Sequence, residues 1–373
     1  MSEDAASRAR ARVRPEVRAL SAYQVGDARG LIKLDAMESP WPWPDREWAD
    51  AWREALGRVE ANRYPDPAAG GVKAALRRVM PVPQGAGLML GNGSDELIQL
   101  LNLALAGAGR TVLAPAPSFA MYRIIATVTG SGFAEVELDE AFGIDVEATL
   151  EALRRHRPAV VYLAHPNNPT GNALEPEAVE AVIRAAEGVV VVDEAYYAYA
   201  DHSFLPRVLD HPNLVVLRTL SKVGLAGLRV GVLAAHPAWV EELEKCRMPY
   251  NLGSLAQAGA AFALEHNHRL EAAVTRVRAE RERLAAALAA QHGVLEVFPS
   301  ATNFITFRLP PGRGGAVHEA LRRGGVLIKN LHGSHPRLAD CLRVTVGTPE
   351  ENDAFLNALG SAFRGGNEPS LSG

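Results

Sequence analysis

The sequence predicts an α/β protein, in which a large domain with a mostly parallel sheet flanked by helices precedes a smaller α+β C-terminal domain. Three observations predict it. Between about residues 70 and 235, short apolar runs alternate with helical patterns, at 88–90, 112–114, 160–164, 189–192, 214–217 and 230–234. These runs are nearly unbroken Val and Leu, the mark of strands buried on both faces, as in a parallel sheet covered by helices on each side. From about residue 255 the pattern changes to one long Ala-, Arg- and Glu-rich helical stretch reaching about residue 291. Strand-like segments follow at 295–298, 304–307, 326–328 and 342–346, with a helix between them. The expected divisions are an N-terminal arm at 1–32, the large domain at 33–252, the small domain at 253–364 and a flexible tail at 365–373, rich in Gly, Ser and Pro.

The 373 residues suffice for two cores, and 48% hydrophobic with 22% charged residues exclude a disordered or fibrous chain. A formal charge of −4 gives no general attraction to nucleic acid or anionic membrane, so an acidic substrate must be held by local cations. Cys246 and Cys341 lie far apart and without a histidine cluster, which suggests neither a disulfide framework nor a metal site. No apolar run approaches the roughly 20 residues that span a bilayer, and a cytoplasmic location is expected. The basic stretch 8–18 reads as a solvated arm whose Val13, Val17 and Leu20 dock on the body.

Open α/β sheets bind ligands beyond the carboxyl ends of their strands, and the suggestive stretches fall there. The stretch 218–229, RTLSKVGLAGLR, sets Lys222 among small residues and hydroxyls, with Arg229 seven residues on. That layout suits an aldehyde cofactor such as pyridoxal phosphate, held as a Schiff base and by its phosphate, provided that neighbours and desolvation lower the lysine pKa. The stretch 91–97, GNGSDEL, follows a strand and opens a helix, so Gly93, Ser94 and Asp95 either cradle a phosphate or simply cap the helix. Asp193 ends the run at 189–192, where a carboxylate is costly unless a cation or several donors satisfy it. A protonated pyridine nitrogen would do so, with Tyr196 donating to the cofactor's phenolic oxygen; a helix cap is the other reading. In 165–171, HPNNPTG, the prolines and glycine fix a turn from which Asn168 can reach that oxygen, and His165 reads as packing. In 115–122, PAPSFAMY, Phe119 is placed to lie on a heteroaromatic ring, and Tyr122 reads as core. Arg343, inside a small-domain strand, calls for a carboxylate such as that of an amino or keto acid.

With these residues assembled, the chain resembles the histidinol-phosphate aminotransferase family of fold-type I pyridoxal-phosphate enzymes over about residues 23–359. The likeness is carried by 62–67, 91–98, 167–171, 193–196, 218–229 and 342–353. The resemblance implies a homodimer that transaminates histidinol phosphate with 2-oxoglutarate, giving imidazole-acetol phosphate and glutamate. Aromatic transamination, threonine-phosphate decarboxylation and a non-catalytic cofactor-binding regulator are the alternatives on this scaffold. It implies that Lys222 carries the cofactor and moves the substrate proton. Thr219, Ser221, Arg229 and the Gly93-Ser94-Asp95 turn would bind the cofactor phosphate, joined by Tyr64 from the other subunit. Asn168, Asp193 and Tyr196 would set the ring electronics and Phe119 would stack on the ring. Arg343 would hold the substrate or glutamate carboxylate, and Tyr23 and Lys329 the substrate phosphate. Met37 and Ser39 stand where the family often has asparagines, and Lys329 stands where many members have arginine, giving a point charge in place of a fork.

Overall fold

The computed structural model of the chain describes residues 5–22 and 26–365. Its strands, in chain order, are β1 (Ile32–Leu34), β2 (Gly87–Asn92), β3 (Thr111–Ala116), β4 (Gly132–Glu137), β5 (Val160–Ala164), β6 (Val189–Asp193), β7 (Leu214–Thr219), β8 (Val230–Ala235), β9 (Glu296–Val297), β10 (Phe304–Arg308), β11 (Val326–Asn330) and β12 (Cys341–Thr345). Seven form a sheet in the order β2-β8-β7-β6-β5-β3-β4, and five form a second in the order β1-β11-β12-β10-β9.

Strands β5, β6 and β7 are buried along their whole length, as the unbroken apolar runs require. Alternate residues feed two cores: Val161, Leu163, Val190, Val192 and Val216 pack on one face, and Val160, Tyr162, Val189, Val191 and Val215 on the other. The pairings β3–β4, β3–β5, β5–β6 and β6–β7 are parallel. Strand β8 departs from this, running antiparallel to both β7 and β2. The link 220–229 is too short for the crossover of a dozen or more residues that a parallel return needs.

The small sheet packs Ile305, Phe307, Ile328, Leu342 and Val344 against Phe355, Leu359, Leu284 and Leu288 from the flanking helices. Its edge corrects the division expected at residue 33: β1 pairs in parallel with β11, Ile32 opposite Val326, so the chain enters through the small sheet before building the large one. The helix expected over about 255–291 is two helices, Ser254–Glu265 and Asn267–Ala289. They break at His266, whose backbone leaves the helical region (φ −108°, ψ 32°) while its ring lies 4.0 Å from that of Trp48. In the arm, the helices Ala5–Arg12 and Pro15–Arg18 bury no residue, and Val13, expected to dock, is 42% exposed. Val17 and Leu20, expected to dock with it, are half-buried, and Arg14 donates to the Val128 carbonyl. Tyr23 and the tail beyond Gly365 lie outside the described residues.

Candidate active site

The link between β7 and β8 shapes the site. Leu220 N–H donates to the Val230 carbonyl across the base of the link, and one 3₁₀ turn, Ser221–Val223, carries Lys222. The Thr219 hydroxyl accepts the Ser221 N–H at 3.1 Å and lies 2.9 Å from Ser221 Oγ. Tyr199 donates to the Lys222 carbonyl at 2.8 Å. The lysine backbone is thereby held at both ends while its side chain stays half-buried. Lys222 Nζ lies 3.4 Å from the Ala36 carbonyl and 5.9 Å from the centre of the Tyr196 ring. Burial, with the nearby Arg343 charge, lowers its pKa to about 8, against the pull of Asp95 and Glu38.

Opposite stands Asp193, the last residue of β6 and 4% exposed. Its Oδ1 accepts the Ala195 N–H at 3.1 Å and its Oδ2 the Tyr122 hydroxyl at 2.8 Å. Burial raises its pKa to about 6, against the lowering effect of those two donors. Among the described residues Asp193 makes no ion pair, although a buried carboxylate ordinarily has one. Asn168 connects two further groups: its Nδ2 donates to Tyr196 Oη at 3.2 Å and its Oδ1 accepts from Arg343 Nη1 at 2.5 Å. Arg343 also donates to the Asp35 carbonyl at 3.3 Å and lies over the Phe304 ring. The segment after β1 thus crosses the mouth of the site, and Met37 is fixed there by Thr345 Oγ1 and the Asn303 amide.

At the other end, Gly93 (φ 80°) leads into the helix Ser94–Leu105. No side chain caps that helix, so its first N–H groups are available to an anion. Arg229, itself left-handed at φ 54°, brings its guanidinium 3.4 Å from Ser221 Oγ and 3.8 Å from Asp95 Oδ2. A single cavity with about 570 Å³ of empty space joins these ends, lined among others by Ser94, Asn168, Asp193, Tyr196, Ser221 and Lys222. The residues fit pyridoxal phosphate. Among the described residues the Asp193 carboxylate lacks a cation, which a ring N–H would supply, and the cradle at Gly93 is so close that a Cβ there would lie 2.4 Å from Arg229 Nη2.

The structure also brings Phe119 and Thr219 to the cavity wall, Phe119 lying edge-on to Tyr122 at 5.5 Å. Lys329 is half-buried on β11 directly across from Arg343 on β12. Tyr64 is 81% exposed and stacked on Tyr250 at 4.4 Å, away from this chain's cavity. Sequence reasoning placed Tyr122 in the core alone; it is 1% exposed, but it also lines the cavity and bonds Asp193. The buried pair of Arg218 and Glu194, 2.8 Å apart behind Asp193, was missed as well. A buried strand ending in consecutive acids, beside another strand carrying an arginine, was its signal. Among the described residues no cluster could hold a metal ion, and no helix is long and apolar enough to cross a membrane.

Residues 32–359 match the family Aminotransferase class I and II. The chain is 51% identical over 347 residues to a histidinol-phosphate aminotransferase 2 of Nitrosococcus oceani, covering 93% of this chain and 96% of that one. It is 50% identical to a histidinol-phosphate aminotransferase 1 of Ralstonia nicotianae, covering 94% of each. Among solved structures, the histidinol-phosphate aminotransferase of Sinorhizobium meliloti in complex with pyridoxal-5'-phosphate superposes with a TM-score of 0.85 at 26% identity, over 95% of this chain and 98% of that one. A match spanning nearly the whole fold, around a cavity that joins Lys222 to Asp193, means that the chain belongs to the class I and II aminotransferases.

Proposed function

We propose that the chain is a pyridoxal-phosphate-dependent aminotransferase that exchanges an amino group between L-histidinol phosphate and 2-oxoglutarate in histidine biosynthesis, as a cytoplasmic homodimer. The observation that carries the reading is one cavity holding both a lysine of lowered basicity and a buried carboxylate that has no cation partner among the described residues. The substrate follows from relatives about half identical over nearly the whole chain, named histidinol-phosphate aminotransferases.

When bound, the cofactor supplies an aldehyde and an electron-accepting ring. The residues do the rest. Asp193, aimed by Tyr122, would hold a proton on the ring nitrogen, while Asn168 and Tyr196, bonded to each other, would donate toward the phenolic oxygen. Ser221, Thr219, Arg229 and the N–H groups of Ser94 and Asp95, brought close by the bare turn at Gly93, would grip the phosphate, and Phe119 would cover the ring. Lys222, with a pKa of about 8, is partly neutral near pH 7 and so is able to take and return the proton at the substrate's amine-bearing carbon. Arg343 would grip the carboxylate of glutamate or 2-oxoglutarate, and Lys329 with Tyr23 the phosphate of histidinol phosphate. The exposed Tyr64 supports pairing of two copies, in which it completes the partner's phosphate site.

The test is the single-turnover half-reaction of the cofactor-loaded protein, followed by cofactor absorbance, with histidinol phosphate, histidinol and phenylalanine compared. Histidinol phosphate reacting far faster than both upholds the reading. Equal or faster reaction of phenylalanine moves the substrate to aromatic amino acids.

A further inference from the structure

We propose that Tyr122 is a positioning residue for the reaction: its hydroxyl holds the Asp193 carboxylate ionised and aimed at the cofactor's ring nitrogen. The inference rests on the reading of the site as a pyridoxal-phosphate site and adds a group to it.

Three observations carry it. The first is the hydrogen bond itself. Tyr122 Oη donates to Asp193 Oδ2 at 2.8 Å across 71 positions of sequence, and both groups are buried. A hydroxyl so far from water is costly unless bonded, so an apolar site that wanted only a ring would be better served by phenylalanine. The second is the rigidity of the donor. The Tyr122 ring stacks on Tyr162 with centroids 4.6 Å apart and planes 8° from parallel, and Tyr162 is anchored in turn by its hydroxyl to Asn102 Oδ1 at 2.8 Å. Phe119 closes the remaining side edge-on. The third is division of labour at the carboxylate. Ala195 N–H takes Oδ1 and Tyr122 takes Oδ2, so the plane of the group is fixed from both sides and each oxygen keeps acceptor capacity for the cavity.

The electrostatic sense follows from what surrounds the group. Asp95 on the helix Ser94–Leu105 and Glu194 beside it on the chain both oppose a negative charge at Asp193. Tyr162 on β5, whose pKa burial raises, is neutral near pH 7, and Tyr196 and Lys222 line the same cavity. Against burial and two acids, the donors that favour the charged form are the Tyr122 hydroxyl and the Ala195 N–H. Removing the hydroxyl therefore moves the carboxyl toward its protonated form, which cannot hold a proton on the ring nitrogen.

The experiment compares wild type with Tyr122→Phe, which keeps the stacked ring, and with Tyr162→Phe, which keeps the Tyr122 hydroxyl. In the cofactor-free proteins, the carbon-13 signal of the Asp193 carboxyl is titrated; in the loaded proteins, the nitrogen-15 shift of labelled pyridoxal phosphate and its dissociation constant are read. The expected result for Tyr122→Phe is a carboxyl midpoint moved to higher pH, a ring nitrogen shifted toward the unprotonated value, and a cofactor affinity lowered about tenfold or more. Tyr162→Phe should leave the midpoint and the nitrogen shift at their wild-type values. Unchanged midpoint and nitrogen shift in Tyr122→Phe overturn the proposal while the functional reading stands. A wild type that takes up no pyridoxal phosphate overturns the functional reading and the proposal with it.

Discussion

Gly93 and Arg229 interlock. The Gly93 N–H donates to the Arg229 carbonyl at 2.8 Å, while the Arg229 guanidinium folds back over the glycine's bare face. The glycine backbone, at φ 80° and ψ 169°, lies where side chains are almost never found, so Gly93→Ala meets both backbone strain and a collision with Nη2. The expected outcome is a destabilisation of about 1–3 kcal/mol by urea unfolding and an affinity for pyridoxal phosphate at least about tenfold weaker by equilibrium dialysis. Wild-type affinity in a folded Gly93→Ala protein would remove this cradle from the site.

Lys222 carries a cost that pH can relieve. Folded, it loses its proton near pH 8; unfolded, near its ordinary 10.5. Between those values the unfolded chain binds more protons, so the folded state gains stability as pH rises through that window and bears the full cost below it. Lys222→Met should raise the melting temperature of the cofactor-free protein by a few degrees at pH 7, with the gain shrinking toward pH 10.5. The same variant should lose turnover by several orders of magnitude. A melting difference that ignores pH would show that burial of this charge is not its origin.

The pair behind the site makes a stability prediction. Arg218 and Glu194 are 5% and 1% exposed, Glu194 also takes the Ser203 hydroxyl and the Phe204 N–H, and Arg218 lies over the Tyr197 ring at 4.2 Å. Arg218→Met strands a buried carboxylate and should cost about 3–5 kcal/mol in chemical unfolding. The double change Arg218→Met with Glu194→Leu should recover much of that loss; a double variant as unstable as the single one would contradict the account.

Lys329 offers a point charge from β11, next to Arg343 across the strand pair. Lys329→Ala should lower kcat/KM for histidinol phosphate by about 10- to 100-fold, the loss of one charge-assisted contact, and leave that for phenylalanine within about twofold. Equal losses on both substrates would place Lys329 outside phosphate recognition.

The large sheet was legible because strands buried on both faces must be apolar throughout, and β5, β6 and β7 are. Strand β4, GFAEVE, escaped notice because it is an edge strand with one fully buried residue, Val136, and two glutamates. The direction of β8 was not written in its apolar run; only the shortness of the 220–229 link holds that information. Among site residues, those just after strands were legible, since chemistry there has little other explanation in a buried fold. Tyr122 was not, because what makes it more than core is a contact with Asp193 far along the chain. For the same reason the contacts of Arg343 with the amide oxygen of Asn168 and the carbonyl of Asp35 were not legible.

Strand β1 belongs to the first tenth of the chain and its partner β11 to the last sixth, and the residues just beyond β1 supply the carbonyls that face Lys222 and Arg343. During synthesis, then, the floor of the cavity has all its residues long before its covering has a strand to dock on. Closing a contact across so much chain comes late, because the entropy of the intervening loop must be overcome first. A C-terminally truncated chain would hold every residue of the phosphate cradle and the lysine but would lack the strand edge that seats Ala36 above them.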